Sequence, residues 1–320
     1  MAYSVNKQTL PVKPSGAFYW LTQNTLTGMA RRKALAGYLF ILPTFLGILI
    51  FTAGPVLFSF GLSFFSWDVI SPAKFLGIDN YTRLWNDPVA TSSFRNTVVF
   101  VLIAVSLQLT LSLLLAVAVT QKKMAKWLRL IFRSIFFLPL LTSGATIAIV
   151  ISYMFQQDFG PINYYLGQLG LGHVRWLNST QWSLIAIVIT YVWHQLGFTF
   201  IVFLGGLGNI SSDVLDAADV DGARGLGRLW FVTLPLLSPT LLFAGVVAVI
   251  NALQVFNEPY VMTSGGPGDS SRTVVMVIQR SAFQNQEFGY ASSIAVLLFL
   301  VILGVTGVQF WLGKKLVFYQ

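Results

Sequence analysis

Residues Ser211–Pro239 read SSDVLDAADVDGARGLGRLWFVTLPLLSP and lie between two long apolar segments. Four of the chain's 11 acidic residues (Asp213, Asp216, Asp219 and Asp221) fall within nine positions of this stretch. A connection between two membrane helices needs only polar residues and a turn. Acid concentrated in one connection therefore points to a surface that another protein grips. Asp216, Ala217, Val220 and Ala223 can share one face of a short helix. Ser211 or Ser212 can cap its start, and acids in its first turns suit the positive end of the helix dipole. Gly222 predicts a bend, after which a second short helix over 225–232 could leave at an angle. Pro235 opens the next apolar run, with Pro239 one turn further in.

Working outward, the chain has 320 residues, 55% of them apolar and only 10% charged. Soluble domains carry about 25% charged residues. With a mean hydropathy of +0.72, the composition is that of a membrane protein. There are no cysteines, which excludes disulfides, thiolate metal sites and a cysteine nucleophile. The two histidines, His173 and His194, are too few for a metal cage. The N-terminus lacks the basic, apolar and small-residue pattern of a cleavable signal peptide.

A spanning helix needs about 20 apolar residues. Six such runs are predicted, over 34–65, 96–120, 131–155, 182–204, 234–263 and 288–312. The first, which is long and holds Pro43 and Pro55, should be kinked or tilted, and the third should bend near Pro139 and Gly144. Polar connections cover 67–94, 156–181 and 264–286. Residues 1–33 read as a tail, in which 18–26 fits either a short interfacial helix or disorder. Residues 34–320 form the six-span domain, with the acidic connection at 208–233.

An even number of spans puts both termini on one side. Of the 20 Lys and Arg residues, Lys74, Arg83, Arg95, Arg175, Arg272 and Arg280 fall on the opposite side and the rest on the tail side. The positive-inside rule then places both termini in the cytoplasm. The net charge of +9 is thus orientation and lipid-headgroup contact, not a nucleic-acid footprint. With this topology the acidic stretch is the one inner connection that breaks a basic pattern.

No Gly-x-x-x-x-Gly-Lys-Ser/Thr loop is present, so the chain should not hydrolyse ATP, and no carboxylate pair or triad marks a catalytic site. The fifth span carries Asn251, Gln254, Asn257 and Glu258, which a continuous helix would place on one face. Amides at membrane depth suit a neutral polyol or sugar, and equally suit helix–helix hydrogen bonding. Glu258 fits a structural or gate residue. Tyr191, Trp193 and His194 of the fourth span could line a path or serve packing. Ser106, Thr110 and Ser112 fit close helix packing.

Asp216-Ala217-Ala218-Asp219-Val220-Asp221-Gly222-Ala223, followed by Val232-Thr233-Leu234-Pro235, resembles the signature loop of ABC-importer membrane subunits. The likeness extends to Trp193-His194-Gln195-Leu196-Gly197-Phe198, to Thr263-Ser264-Gly265-Gly266-Pro267, and to Gly289-Tyr290-Ala291. These look like the carbohydrate-uptake branch, of the maltose and glycerol-3-phosphate type. The resemblance covers most of residues 34–320. It implies an all-α type I ABC importer permease with a cytoplasmic coupling helix pair, in a bacterial or archaeal inner membrane.

By the same resemblance the chain would pair with a second homologous permease, two ATPase subunits that carry ATP and Mg, and an external solute-binding protein. It would bind no cofactor itself. Asp216 takes the signature Glu position and would face a basic group on the ATPase, and Gly222 would supply the bend. Ala217, Ala218, Ala223 and Pro235 complete the motif. Asp219 and Asp221 fit either docking or a solvated face. Leu229 stands where the family commonly has Phe. In maltose-type permeases the fifth span lines the sugar path. The alternative is an ion-coupled secondary transporter, which would need an intramembrane charge relay and usually internal repeats.

Overall fold

The computed structural model describes residues 28–120 and 125–317. The expected helix over 18–26 lies outside the described residues. The chain divides into a unit ending at Phe58 and a unit beginning at Ser59.

In the first unit, α1 (Gly28–Ile48) runs without a break through Pro43. It widens into a π turn, Leu49–Ala53, and continues as α2 (Gly54–Leu62). The wide turn has a local cause. Pro55 has no N–H to offer the turn before it and its ring crowds that turn, so Gly54 N–H reaches back five residues to Leu49 O. Leu39, Phe40 and Phe51 are exposed, a surface that suits lipid.

The second unit opens with a short antiparallel pair, β1 (Phe65–Ser66) and β2 (Lys74–Phe75), registered Phe65 to Phe75 and Ser66 to Lys74. Helix α3 (Asp79–Asn86) follows, then α4 (Pro88–Thr120). The second span thus begins at Pro88, well before the expected residue 96. Asp87 Oδ1 accepts the N–H of Val89 at 2.8 Å, and Pro88 sits at the first helical position, where its missing N–H costs nothing.

The third span is two pieces. Helix α5 (Lys126–Phe137) passes through a 3₁₀ turn, Leu138–Leu141, and α6 (Gly144–Met154) leaves at 106°. Thr142 and Ser143 are extended, so the chain turns between Pro139 and Gly144, where a bend was expected. It is far more than a kink, and neither half could cross a bilayer alone.

Helix α7 (Pro161–Gln168) precedes α8 (Ser183–Gly208), the fourth span. The 209–225 connection contains α9 (Ser212–Val220). It is followed by α10 (Leu226–Arg228), a π turn (Leu229–Thr233), α11 (Leu234–Leu253) and α12 (Asn257–Thr263). After α13 (Val274–Gln279) and a π turn (Arg280–Gln284), α14 (Phe288–Leu316) ends the described chain. Among the described residues five helical stretches are long and apolar enough to cross a membrane, and the bent α5–α6 pair makes a sixth if it is one span.

Helix α8 packs on α4, with Phe100, Val105, Ile187, Tyr191 and Val192 in one buried cluster and Val119, Phe200, Phe203 and Leu237 in another. Small residues bring the backbones together. A Cβ on Gly197 would collide with the carbonyl of Phe136, and one on Gly206 would lie 2.6 Å from both Leu237 Cδ1 and Thr240 Oγ1. Gln108 Nε2 donates to Thr199 Oγ1 at 2.6 Å, and Ser112 Oγ donates to Leu196 O at 3.2 Å. Ser112 therefore serves close packing, as expected.

Candidate functional site

The acidic connection folds as two short helices around a five-residue turn. Ser211 Oγ accepts Asp213 N–H at 3.3 Å and caps α9. Its far end closes with Asp221 N–H to Ala217 O and Ala223 N–H to Ala218 O at 2.9 Å. Gly222, at φ +84°, takes the left-handed conformation that lets the chain turn there. The second arm is helical over nearly the expected 225–232, but it is not a separate helix: α10 widens into the π turn and runs on unbroken into α11. Pro235 is the cause, as Pro55 is in the first unit. Leu234 N–H bonds to Leu229 O, five residues back.

Asp213, Asp216 and Asp221 are exposed, and Ala218 is buried. Asp219 is half-buried and faces its own loop: Arg228 Nη1 donates to its Oδ1 and Oδ2 at 2.8 and 3.0 Å. Beside the acids, Val220 is 87% exposed and Leu226 74%. Two apolar side chains held out around an acid-rimmed bend form a surface suited to a protein partner.

The second constellation lies where the fifth span breaks. Helix α11 ends at Leu253, and Gln254, Val255 and Phe256 are not helical. This corrects the expectation of one continuous helical face. The break is held from outside: Thr273 Oγ1 donates to Val255 O at 3.0 Å. His194 Nδ1 of α8 lies 3.2 Å from Glu258 Oε1 at the start of α12, with both side chains buried. Gly144, at the bend of the third span, fits against the same pair. Its Cβ would sit 3.1 Å from His194 Cε1 and 3.3 Å from Glu258 Oε1. Two broken helices therefore meet at one buried hydrogen-bonded pair, which the sequence did not reveal.

Asn251, Gln254 and Asn257 remain exposed, while Glu258 turns inward. Tyr191 is buried in the core, its ring edge-on to Phe100 at 5.1 Å, and Trp193 on the same helix is half-exposed. Of the proposed path residues, the amides and Trp193 share an exposed status, His194 and Glu258 pair, and Tyr191 packs.

A third cluster joins α3, α4 and α14. Arg83 donates through Nη1 and Nη2 to the two oxygens of Glu287 at 2.9 Å each. Its guanidinium lies 4.1 Å over the Tyr290 ring, and Tyr290 Oη donates to Asp87 Oδ2 at 2.7 Å. Burial pushes the Asp87 carboxyl up, but the Tyr290 hydroxyl, the N–H groups of Ala90 and Val89, and the Arg83 charge outweigh it and hold it below 3.8. A cavity of about 660 Å³ opens beside this cluster, lined by Trp67, Lys74, Arg83 and Glu287. Among the described residues no group of three or more His, Asp or Glu side chains could hold a metal ion.

Apolar spans, two of them broken at a shared polar point, and a bent surface loop are the parts of a membrane permease. A sequence model of the "Binding-protein-dependent transport system inner membrane component" family matches residues 108–317, and the chain belongs to this family. It is similar to the sulfoquinovosyl glycerol transport system permease protein SmoG of Agrobacterium fabrum. The two are 36% identical over 249 residues, covering 77% of this chain and 80% of that one. It is also similar to the trehalose/maltose transport system permease protein MalF of Thermococcus litoralis, with 33% identity over 293 residues, 91% of this chain and 98% of that one.

Among solved structures, a bacterial ABC transporter involved in the import of the acidic polysaccharide alginate matches with a TM-score of 0.78. It covers 89% of this chain and 96% of its own, at 22% identity, which shows a shared fold. The chain is therefore an inner-membrane permease subunit of an ABC importer, with the type I permease fold, and not an enzyme. Family membership sets aside the ion-coupled alternative.

Proposed function

We infer that this subunit forms half of the path for a sugar or sugar-like solute and takes its driving force through the 208–233 loop. The observation that carries the reading is that loop: acids and two exposed aliphatic side chains arranged around a left-handed glycine bend. Asp216, Ala217, Asp221, Gly222 and Ala223 form the face that enters a cleft of an ATPase subunit, with Ala218 packed behind it. Pro235 sets the π turn that joins this face to the fifth span. Each of two ATPases holds ATP and Mg, and a second homologous permease completes the channel. Both termini and the loop lie in the cytoplasm, in accord with the distribution of cations.

Asn251, Gln254 and Asn257 support the path. An exposed amide at membrane depth is costly against lipid, so these side chains face water or protein. Their chemistry fits sugar hydroxyls, and relatives are named for glycoside and disaccharide transport. His194 and Glu258 hold the break that presents them, and Trp193 offers a ring beside it.

The test is uptake by the whole importer carrying Asp216→Ala with Gly222→Val, and separately Gln254→Leu with Asn257→Leu. The loop variant should lose uptake and the ATPase stimulation caused by loaded binding protein. The amide variant should keep that stimulation and lose uptake. Normal uptake in both would falsify the assignment.

A further inference from the structure

We propose that the Asp219–Arg228 ion pair is the strut that fixes the angle between the two arms of the loop, so that movement of α9 is passed to the fifth span. The proposal rests on the coupling role inferred above and adds to it a positioning residue, Arg228, outside the signature motif. It also assigns Asp219 to its own loop, not to a contact with the ATPase.

The pair bridges the two arms directly. Within α9 only Ala218 is buried, so no apolar core spans the bend. The turn between the arms contains Gly222 at φ +84° and Gly225 at φ +56°, two residues with wide backbone freedom. The Ala223 N–H to Ala218 O bond closes the end of α9 but does not reach α10. Across the bend itself, Arg228 Nη1 donates to both oxygens of Asp219.

Position gives the pair its consequence. Arg228 is the last residue of α10, and the π turn follows it directly into α11. Helix α11 has 20 residues, about 30 Å of rigid rod. Its far end is the break at Gln254. A displacement of α9 that is transmitted through the pair therefore arrives where the exposed amides lie. With one side chain 31% and the other 41% exposed, the pair is weak while water surrounds it. Docking removes that water, and the attraction rises as the local dielectric falls. The strut stiffens when a partner is in place, which is when force must pass.

The test uses the reconstituted importer with its ATPases, loaded binding protein and a radiolabelled solute, and reads solute moved per ATP hydrolysed. Arg228→Ala should recruit the ATPases and leave their basal hydrolysis unchanged, while solute per ATP falls about tenfold. The exchange Asp219→Arg with Arg228→Asp should restore most of the ratio, which a loss of packing or abundance would not do. A normal ratio in Arg228→Ala, or no rescue by the exchange, overturns the strut. Failure of Arg228→Ala to recruit the ATPases also overturns it, since that makes the residue a docking contact. A failure of the coupling reading is distinct: Asp216→Ala with Gly222→Val would then transport normally whatever the pair does.

Discussion

Asp87 shows how much one side chain can organise. It caps α4 through the N–H groups of Val89 and Ala90 and accepts the Tyr290 hydroxyl of α14. Its carboxyl is held below the ordinary 3.8, so its contribution to stability is complete above that value and is lost as pH falls through the lowered one. Thermal melts of the purified subunit should show a drop in Tm as pH falls below about 4 that Asp87→Asn lacks. A variant with the same acid slope as the parent would contradict this. The Asp-Pro pair that starts α4 was legible in the sequence, yet the expected span began eight residues later because apolarity, not capping, set its boundary. The His194–Glu258 pair was not legible. Its members stand 64 positions apart, and only the fold brings them within 3.2 Å.

At the level of elements, local chemistry announced some breaks and not others. Pro139 and Gly144 marked the bend of the third span, although not its 106° extent. Pro55 and Pro235 each lie two residues beyond a π turn, a regularity that follows from the lost N–H. The break at Gln254–Phe256 has a local cause in Pro259, which has no N–H for the Val255 carbonyl four residues back and whose ring crowds it. Thr273 Oγ1 takes the carbonyl that Pro259 leaves free, and the His194–Glu258 pair lies just beyond it; these two contacts are distant in sequence and were not legible. Helix contacts lend themselves to test. Gly197 of α8 lies against the Phe136 carbonyl of α5, a backbone atom that cannot rotate away. Gly197→Ala should destabilise the subunit by about 1–3 kcal/mol, read as a lowered Tm in detergent. Gly205→Ala on the same helix meets nothing within 4 Å and serves as the control. Equal melting of the two variants would show that the helices are not in close contact there.

For the molecule as a whole, composition set the class and the acidic loop set the family. The signature that resembles ABC-importer subunits falls inside the 108–317 match. What one chain's sequence shows poorly is the part that, on the proposed function, other chains complete: the exposed amides, Val220 and Leu226. The account centres on that loop entering a partner at the inner face of the membrane. Because the chain has no cysteine, a single Val220→Cys substitution reports on it cleanly. A membrane-impermeant maleimide should label this residue in inside-out vesicles and not in intact spheroplasts, and bound ATPase subunits should block the label. Labelling from outside, or labelling that the ATPase leaves unchanged, would contradict the account.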